Sequence, residues 1–166
     1  MIINTLKQNG RSFYFAHRGA PWVEKENSIM SFCRAIELGC KGLEMDVQIT
    51  KDKKLIIYHD MYIKKENQTF YINELTYFQI SKIMKDLNEK IPPLFSDLLP
   101  IIKQNKNVIF NIEIKSNRFN NYLIIKKIKE YIHKNNIVNQ CIISSFNYTL
   151  LLQMKLFFRH VLIGFV

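Results

Sequence analysis

The stretch Gly42–Thr50, Gly-Leu-Glu-Met-Asp-Val-Gln-Ile-Thr, constrains the fold of this chain more than any other. Apolar and polar residues alternate along it, the period of a β-strand. Leu43, Met45, Val47 and Ile49 share one face, while Glu44, Asp46 and Gln48 share the other. The apolar face has to be laid on a second layer. The polar face is unusual, because two carboxylates at i and i+2 repel each other and lose hydration inside a packed sheet. Something cationic must neutralise them, and a divalent metal does so economically.

A second stretch repeats the pattern. In Val108–Lys115, Val-Ile-Phe-Asn-Ile-Glu-Ile-Lys, the positions Asn111, Glu113 and Lys115 share one face, and Phe110, Ile112 and Ile114 the other. Glu44, Asp46 and Glu113 then offer three carboxylates to one hard cation, and such an all-oxygen set suits Mg²⁺ or Ca²⁺ better than zinc. His17 follows an aromatic-rich run, Ser12–Ala16, and His59 ends the run Lys54–His59. Read as first and third strands, these runs face each other across the second and place both histidines beside the carboxylates. A histidine passes a proton in either direction near neutral pH. Arg18 and Lys115 add positive charge suited to phosphate oxygens. Metal, cations and paired histidines together describe phosphoryl transfer or phosphodiester cleavage. His133 and His160 join no such set and are expected to be structural.

The remaining pattern alternates strand and helix. Helices are expected over Ser28–Leu38, with Asn27 as N-cap and Gly39 as stop, near Tyr77–Met84, over Leu94–Gln104 with a kink at Pro100, over Asn121–Lys134 and over Tyr148–Phe157. Further strands are expected at Cys141–Ser145 and Val161–Val166. Such alternation predicts a parallel sheet with helices on its faces. The polar residues fall on or just past the carboxyl halves of four successive strands, the ends that converge in a (β/α)₈ barrel. No glycine-rich phosphate loop of an open nucleotide-binding sheet is present. The expectation is a single α/β domain over residues 1–166, of TIM-barrel type.

Composition narrows the partners. The net charge of +10 invites an anionic partner. The lysines, however, are scattered along the whole chain without interleaved aromatics, so a solvated surface is expected and nucleic acid is not. No window approaches the roughly 18 apolar residues of a membrane span, and no secretory signal pattern opens the chain; a cytoplasmic location is expected. Cys33, Cys40 and Cys141 form no CxxC pair and are read as buried thiols.

The motif residues resemble the glycerophosphodiester phosphodiesterase family. The resemblance runs through Ala16-His17-Arg18-Gly19, Glu26-Asn27-Ser28, Gly42 to Val47, Thr50-Lys51-Asp52, His59-Asp60, Ile91-Pro92-Pro93-Leu94, Asn111 to Lys115 and Ser144-Ser145-Phe146, nearly the whole chain and in order. It implies a TIM barrel that hydrolyses glycerophosphodiesters to an alcohol and glycerol 3-phosphate with a divalent cation. It implies Glu44, Asp46 and Glu113 as metal ligands, His17 and His59 as the acid–base pair, and Arg18 and Lys115 as phosphate-binding residues. Ser28 and Pro93 stand where the family usually carries Thr. A (β/α)₈ barrel takes about 250 residues, so a 166-residue chain is expected to supply six strand–helix units, with the last two missing. Open sheet edges of that kind invite self-association. Two other readings are a phospholipase-D- or sphingomyelinase-like phosphodiesterase on a similar barrel, and a catalytically inactive remnant.

Overall fold

The computed structural model describes residues 13–116, 121–157 and 161–165. Its helices are α1 (Ile29–Glu37), α2 (Tyr77–Asp86), α3 (Leu99–Gln104), α4 (Tyr122–Lys134) and α5 (Tyr148–Phe157). Its strands are β1 (Gly42–Ile49), β2 (Leu55–Ile57), β3 (Tyr62–Lys65), β4 (Gln68–Tyr71), β5 (Ile109–Ile114), β6 (Cys141–Ser145) and β7 (Leu162–Phe165). Five strands form one sheet in the order β2-β1-β5-β6-β7, and β3 pairs with β4 in a separate hairpin. β1, β5, β6 and β7 run parallel, joined from β5 onward by single helices, whereas β2 is antiparallel to β1.

Register explains how the sheet separates core from site. One cross-strand row reads Met45–Ile112–Ile143–Ile163, and the next reads Asp46–Glu113–Ser144–Gly164. Apolar rows, with Leu43, Val47, Phe110 and Ile114, pack against Phe32, Ala35, Ile124, Ile125 and Ile128 of α1 and α4. The polar row lies on the opposite face. Helix α4 buries Ile124, Ile125, Ile128 and Ile132, which recur at helical spacing. Strand β1 is buried on both faces over Gly42–Gln48, so its carboxylates are enclosed as fully as its core residues.

Several local expectations are corrected. Helix α1 is capped by Ser28, whose hydroxyl accepts from the Ser31 N–H, and Asn27 turns away at φ 53°. Gly39, at φ 91°, ends that helix as expected. Of the expected strand Ser12–Ala16, Ser12 lies outside the described residues and the rest is reduced to one parallel bridge, Ala16 to Leu43. The run Lys54–His59 shortens to β2 and reverses direction, because residues 50–54 are too short a connection for a parallel crossover. Both this run and Ala16 bond to the same edge of β1, through Glu44 N–H to Ala16 O and Tyr58 N–H to Asp46 O, so they do not flank it. The Leu94–Gln104 helix divides into a 3₁₀ turn, Phe95–Leu98, and α3, with Pro100 in the first turn of α3, where its missing N–H costs nothing. The β3–β4 hairpin was not expected. Its turn is Glu66-Asn67, with Glu66 at φ 54°.

The hairpin and α2 form a small layer of their own around Ile56, Ile63, Ile72, Ile80 and Met84. Pro93 and Leu94 close the outer edge of β2, with Ile57 N–H donating to Pro93 O and Ile56 bridging to Leu94. Among the described residues the large sheet stays open and does not close into a barrel. Cys141 is buried, and Cys33 and Cys40 are half-buried. No helix among the described residues is long and apolar enough to cross a membrane. Val166 and His160 lie outside the described residues.

Candidate active site

The turn after Ala16 is held in a left-handed conformation that aims its groups at β1. Arg18 has φ 55° and Gly19 φ 89°. A side chain at Gly19 would meet the Ser31 backbone at 2.7 Å, so both conformation and space require glycine there. Ser31 accepts from Ala20 N–H at 2.7 Å and donates to Arg18 O at 3.0 Å, locking the turn onto α1.

Glu44, Asp46 and Glu113 converge as expected, with one ligand oxygen of each lying within 4.8 Å of the others. All three are buried. The Arg18 backbone N–H donates to Glu44 Oε2 at 2.9 Å, and His17 Nε2 lies 3.9 Å from the same oxygen. The His17 side chain is 68% exposed and thus faces the open side of the cluster. Arg18 Nε lies 3.2 Å from Asp46 Oδ2, and its guanidinium also holds Glu26 at 3.1 Å. Lys115 Nζ lies 3.1 Å from Asp46 Oδ1 and pairs with Glu113 Oε1. Both cations therefore rest on the carboxylates.

The electrostatics follow from burial. Glu44 is pushed up to about 7 by loss of hydration first, then by the charges of Asp46 and Glu113; the Arg18 N–H only partly opposes this. Burial alone would lower Lys115. The hydrogen bond to Glu113 and the Asp46 charge outweigh it and hold the ammonium above its ordinary range. Glu44 Oε1 is buried with no hydrogen-bond donor. A buried carboxylate oxygen without a donor, beside two more carboxylates, is what an oxygen-ligated divalent cation would satisfy. The residues present fit that group.

His59 follows β2. Its Nδ1 lies 2.8 Å from Asp60 Oδ1. An ionised carboxylate only accepts, so Nδ1 carries the proton and Nε2 is left to exchange one. The loop is held by buried Gln48, whose amide donates to the carbonyls of Tyr58 (2.8 Å), His59 (3.3 Å) and Asp60 (2.8 Å). His17, Arg18, Glu44, Asp46, Glu113 and Lys115 thus form one connected cluster, and His59 is tied to it through Gln48 and the backbone.

Four contributors had no expected role in the site. Asn27 donates to Asp46 Oδ2 at 2.8 Å and accepts from Asp46 N–H at 3.3 Å. Glu26 anchors Arg18, Gln48 holds the His59 loop, and Asp60 orients the imidazole. Gln48 carried a readable signal, since it continues the Glu44–Asp46 face of β1. Asn27 carried a misleading one, since asparagine is also a favoured helix cap.

Fold and site together define an α/β protein whose mostly parallel sheet carries a buried carboxylate cluster on one face, with Arg18 and Lys115 resting on it. The chain belongs to the glycerophosphoryl diester phosphodiesterase family, whose model matches residues 17–156. A glycerophosphodiester phosphodiesterase of Caldanaerobacter subterraneus subsp. tengcongensis is 36% identical over 93% of this chain and 66% of its own length. A human lysophospholipase D is 27% identical over 86% of this chain and 48% of its own length. Among solved structures, a glycerophosphodiester phosphodiesterase of Parabacteroides distasonis superposes with a TM-score of 0.77 at 28% identity, covering 91% of this chain and 63% of that one. An Oleispira antarctica phosphodiesterase in complex with sn-glycerol-3-phosphate has the same fold, with a TM-score of 0.68 at 22% identity, covering 91% of this chain and 64% of that one. The chain thus spans about half to two thirds of the length of the relatives it matches.

Proposed function

We propose that this chain hydrolyses glycerophosphodiesters to an alcohol and glycerol 3-phosphate, with a divalent cation held by Glu44, Asp46 and Glu113. The observation that carries the reading is the buried triad itself, with Glu44 Oε1 lacking any donor and His17 Nε2 3.9 Å from Glu44. The β1-β5-β6-β7 sheet is read as neighbouring staves of a (β/α)₈-type scaffold, a reading supported by the superposition on solved family members. When bound, Mg²⁺ or Ca²⁺ supplies positive charge to the phosphoryl oxygens, where negative charge develops.

His17 and His59 divide the proton work. The glycerol hydroxyl beside the phosphoester gives its proton to one imidazole as its oxygen bonds to phosphorus. The bond from phosphorus to the departing alcohol breaks, and the other imidazole protonates that alkoxide. The five-membered cyclic phosphate is then opened by water with the proton roles reversed, which leaves glycerol 3-phosphate. Asp60 holds the His59 tautomer through Nδ1. Arg18 and Lys115, already aimed at Asp46, bring the positive charge that receives the phosphate.

The test is release of glycerol 3-phosphate from a glycerophosphodiester by the purified chain with Mg²⁺ or Ca²⁺. His17→Ala is expected to lower kcat by roughly 10²–10⁴-fold, and a chelator to abolish turnover reversibly. Equal background signals from the chain and the variant would reject hydrolysis.

A further inference from the structure

The lysines are spread along the chain, but the acids that balance them are not. Residues 98–166 hold ten of the 24 Lys and Arg residues and only two of the 14 Asp and Glu residues, so 8 of the 10 net positive charges fall there. Of those two acids, Glu113 belongs to the carboxylate cluster, which leaves Glu130. Helix α4 concentrates the excess, with Lys126, Lys127, Lys129 and Lys134 and with Glu130 as its one acid. Its residues Ile124, Ile125, Ile128 and Ile132 are buried in the core, so the charged positions make its outer face.

Two clefts border that face, and both combine cations with apolar walls. A groove of about 400 Å³ is lined by Tyr122, Ile125 and Phe157 together with Lys126, Lys129, Glu130 and His133. Tyr122 and Phe157 are about half exposed and meet edge to face, with ring centroids 6.0 Å apart. Beside them in the chain, Leu123 and Leu156 are 40% and 74% exposed. The second cleft, of about 270 Å³, brings Lys53 and Lys54 to Lys127 over Leu55, Leu94 and Tyr131. Two acids offset part of the charge, with Glu130 3.9 Å from Lys126 and Asp52 4.0 Å from Lys54. The balance stays positive across the breadth of the helix.

A partner for this face has to present negative charge over a wide area and accept apolar side chains next to it. A phospholipid leaflet does both, because its headgroups meet the lysines and its acyl boundary takes Tyr, Phe and Leu. A nucleic acid would meet the lysines and leave Leu123 and Leu156 in water. It would also find the Tyr122 ring occupied by the Phe157 edge and by the Lys126 ammonium, 6.0 Å from its centroid. A second copy would set the same lysines against themselves across a two-fold axis. We propose that the outer face of α4 docks on an anionic membrane surface, with Lys53, Lys54, Lys126 and Lys127 at the headgroups and Tyr122, Leu123 and Phe157 in the interface. Helix α4 packs on the sheet face opposite the carboxylate cluster, so docking leaves the cluster uncovered. The inference does not depend on the hydrolytic reading.

The experiment measures binding of the purified chain to vesicles of phosphatidylcholine alone and of phosphatidylcholine mixed with phosphatidylglycerol. Affinity for the mixed vesicles is expected to exceed that for the neutral ones by at least about tenfold and to fall as sodium chloride is raised. Lys126→Gln combined with Lys127→Gln is expected to weaken it about twentyfold. Phe157→Gln is expected to weaken it severalfold with an unchanged salt dependence, since it removes apolar contact and no charge. Lys82→Gln combined with Lys85→Gln takes the same charge from exposed positions of α2 and is expected to leave binding as it was. Should the α4 pair lose its thermal unfolding transition, Lys53→Gln combined with Lys54→Gln, in the connection after β1, decides by the same readout. Equal affinity for both vesicle types overturns the proposal, as does full binding by the α4 pair or by Phe157→Gln, or an equal loss in the α2 pair. Tighter binding to a random-sequence DNA duplex than to the mixed vesicles assigns the face to nucleic acid. A light-scattering mass that doubles with concentration and reverts in Phe157→Gln assigns it to a second copy. Either result overturns the proposal as well.

Discussion

Glu44 is a carboxylate that folding leaves short of partners. One oxygen accepts from the Arg18 N–H, and the other has no donor. Because its folded value rises to about 7, Glu44 binds a proton more tightly in the folded chain than in the unfolded one. Its ionised form penalises the metal-free fold above that value, by on the order of 3 kcal/mol. The penalty fades as the pH falls through 7 and is gone below about 4.5, the ordinary carboxyl value. A divalent cation relieves it only where Glu44 is ionised. Thermal unfolding with and without Ca²⁺ is therefore expected to show a large stabilisation at pH 8 that shrinks toward pH 5.5. Glu44→Gln is expected to raise the metal-free Tm at pH 8 and to abolish the Ca²⁺ response. A Ca²⁺ response equal at both pH values, or retained in the variant, would count against the site. At this scale the sequence was informative about charge: two carboxylates on one strand face already imply a cation. It could not show that Arg18 and Lys115 rest on Asp46, because that contact joins three segments distant in the chain.

Elements aim the residues, and the short connection after β1 shows how. Residues 50–54 return the chain as an antiparallel partner, so β2 lies on the same edge of β1 as Ala16, and His17 and His59 both approach from that edge. The length of this connection was visible in the sequence, and the rule that short links make antiparallel pairs would have corrected the expected order. Gln48 then fixes the loop after β2 through three carbonyls. Gln48→Leu preserves bulk and removes those bonds. It is expected to cost about 1–3 kcal/mol of stability and to lower kcat severalfold with little change in KM, since the loop that carries His59 loses its anchor. Denaturant midpoints and steady-state kinetics of the variant check both. Retention of full kcat would show that Gln48 serves stability alone. The cap of α2 is simpler. Thr76 and Gln79 form a reciprocal capping box, and Thr76→Ala is expected to cost about 1 kcal/mol, read as a lower Tm with unchanged turnover.

At the scale of the molecule, the described residues form two apolar clusters of unequal size. The larger lies between the sheet and helices α1, α3, α4 and α5, and the smaller joins β2 to the hairpin and α2. Hydrogen exchange is expected to be slowest in β1 and β5, which are buried and paired on both sides, and fastest in β3 and β4, which pair only with each other. Exchange that is uniform across both clusters would mean that they unfold as one unit. The sequence by itself determined the α/β class, the faces of β1 and β5, the helices α4 and α5 and the three carboxylates of the cluster. Each of these rests on local periodicity, which side-chain alternation and burial impose wherever an element packs. Only the tertiary structure decided that β2 runs backward beside Ala16, that Asn27 serves the cluster instead of the helix cap while Glu26 anchors Arg18, and that a cavity opens next to His59. Those features arise where distant segments meet, and no short window of residues carries that information.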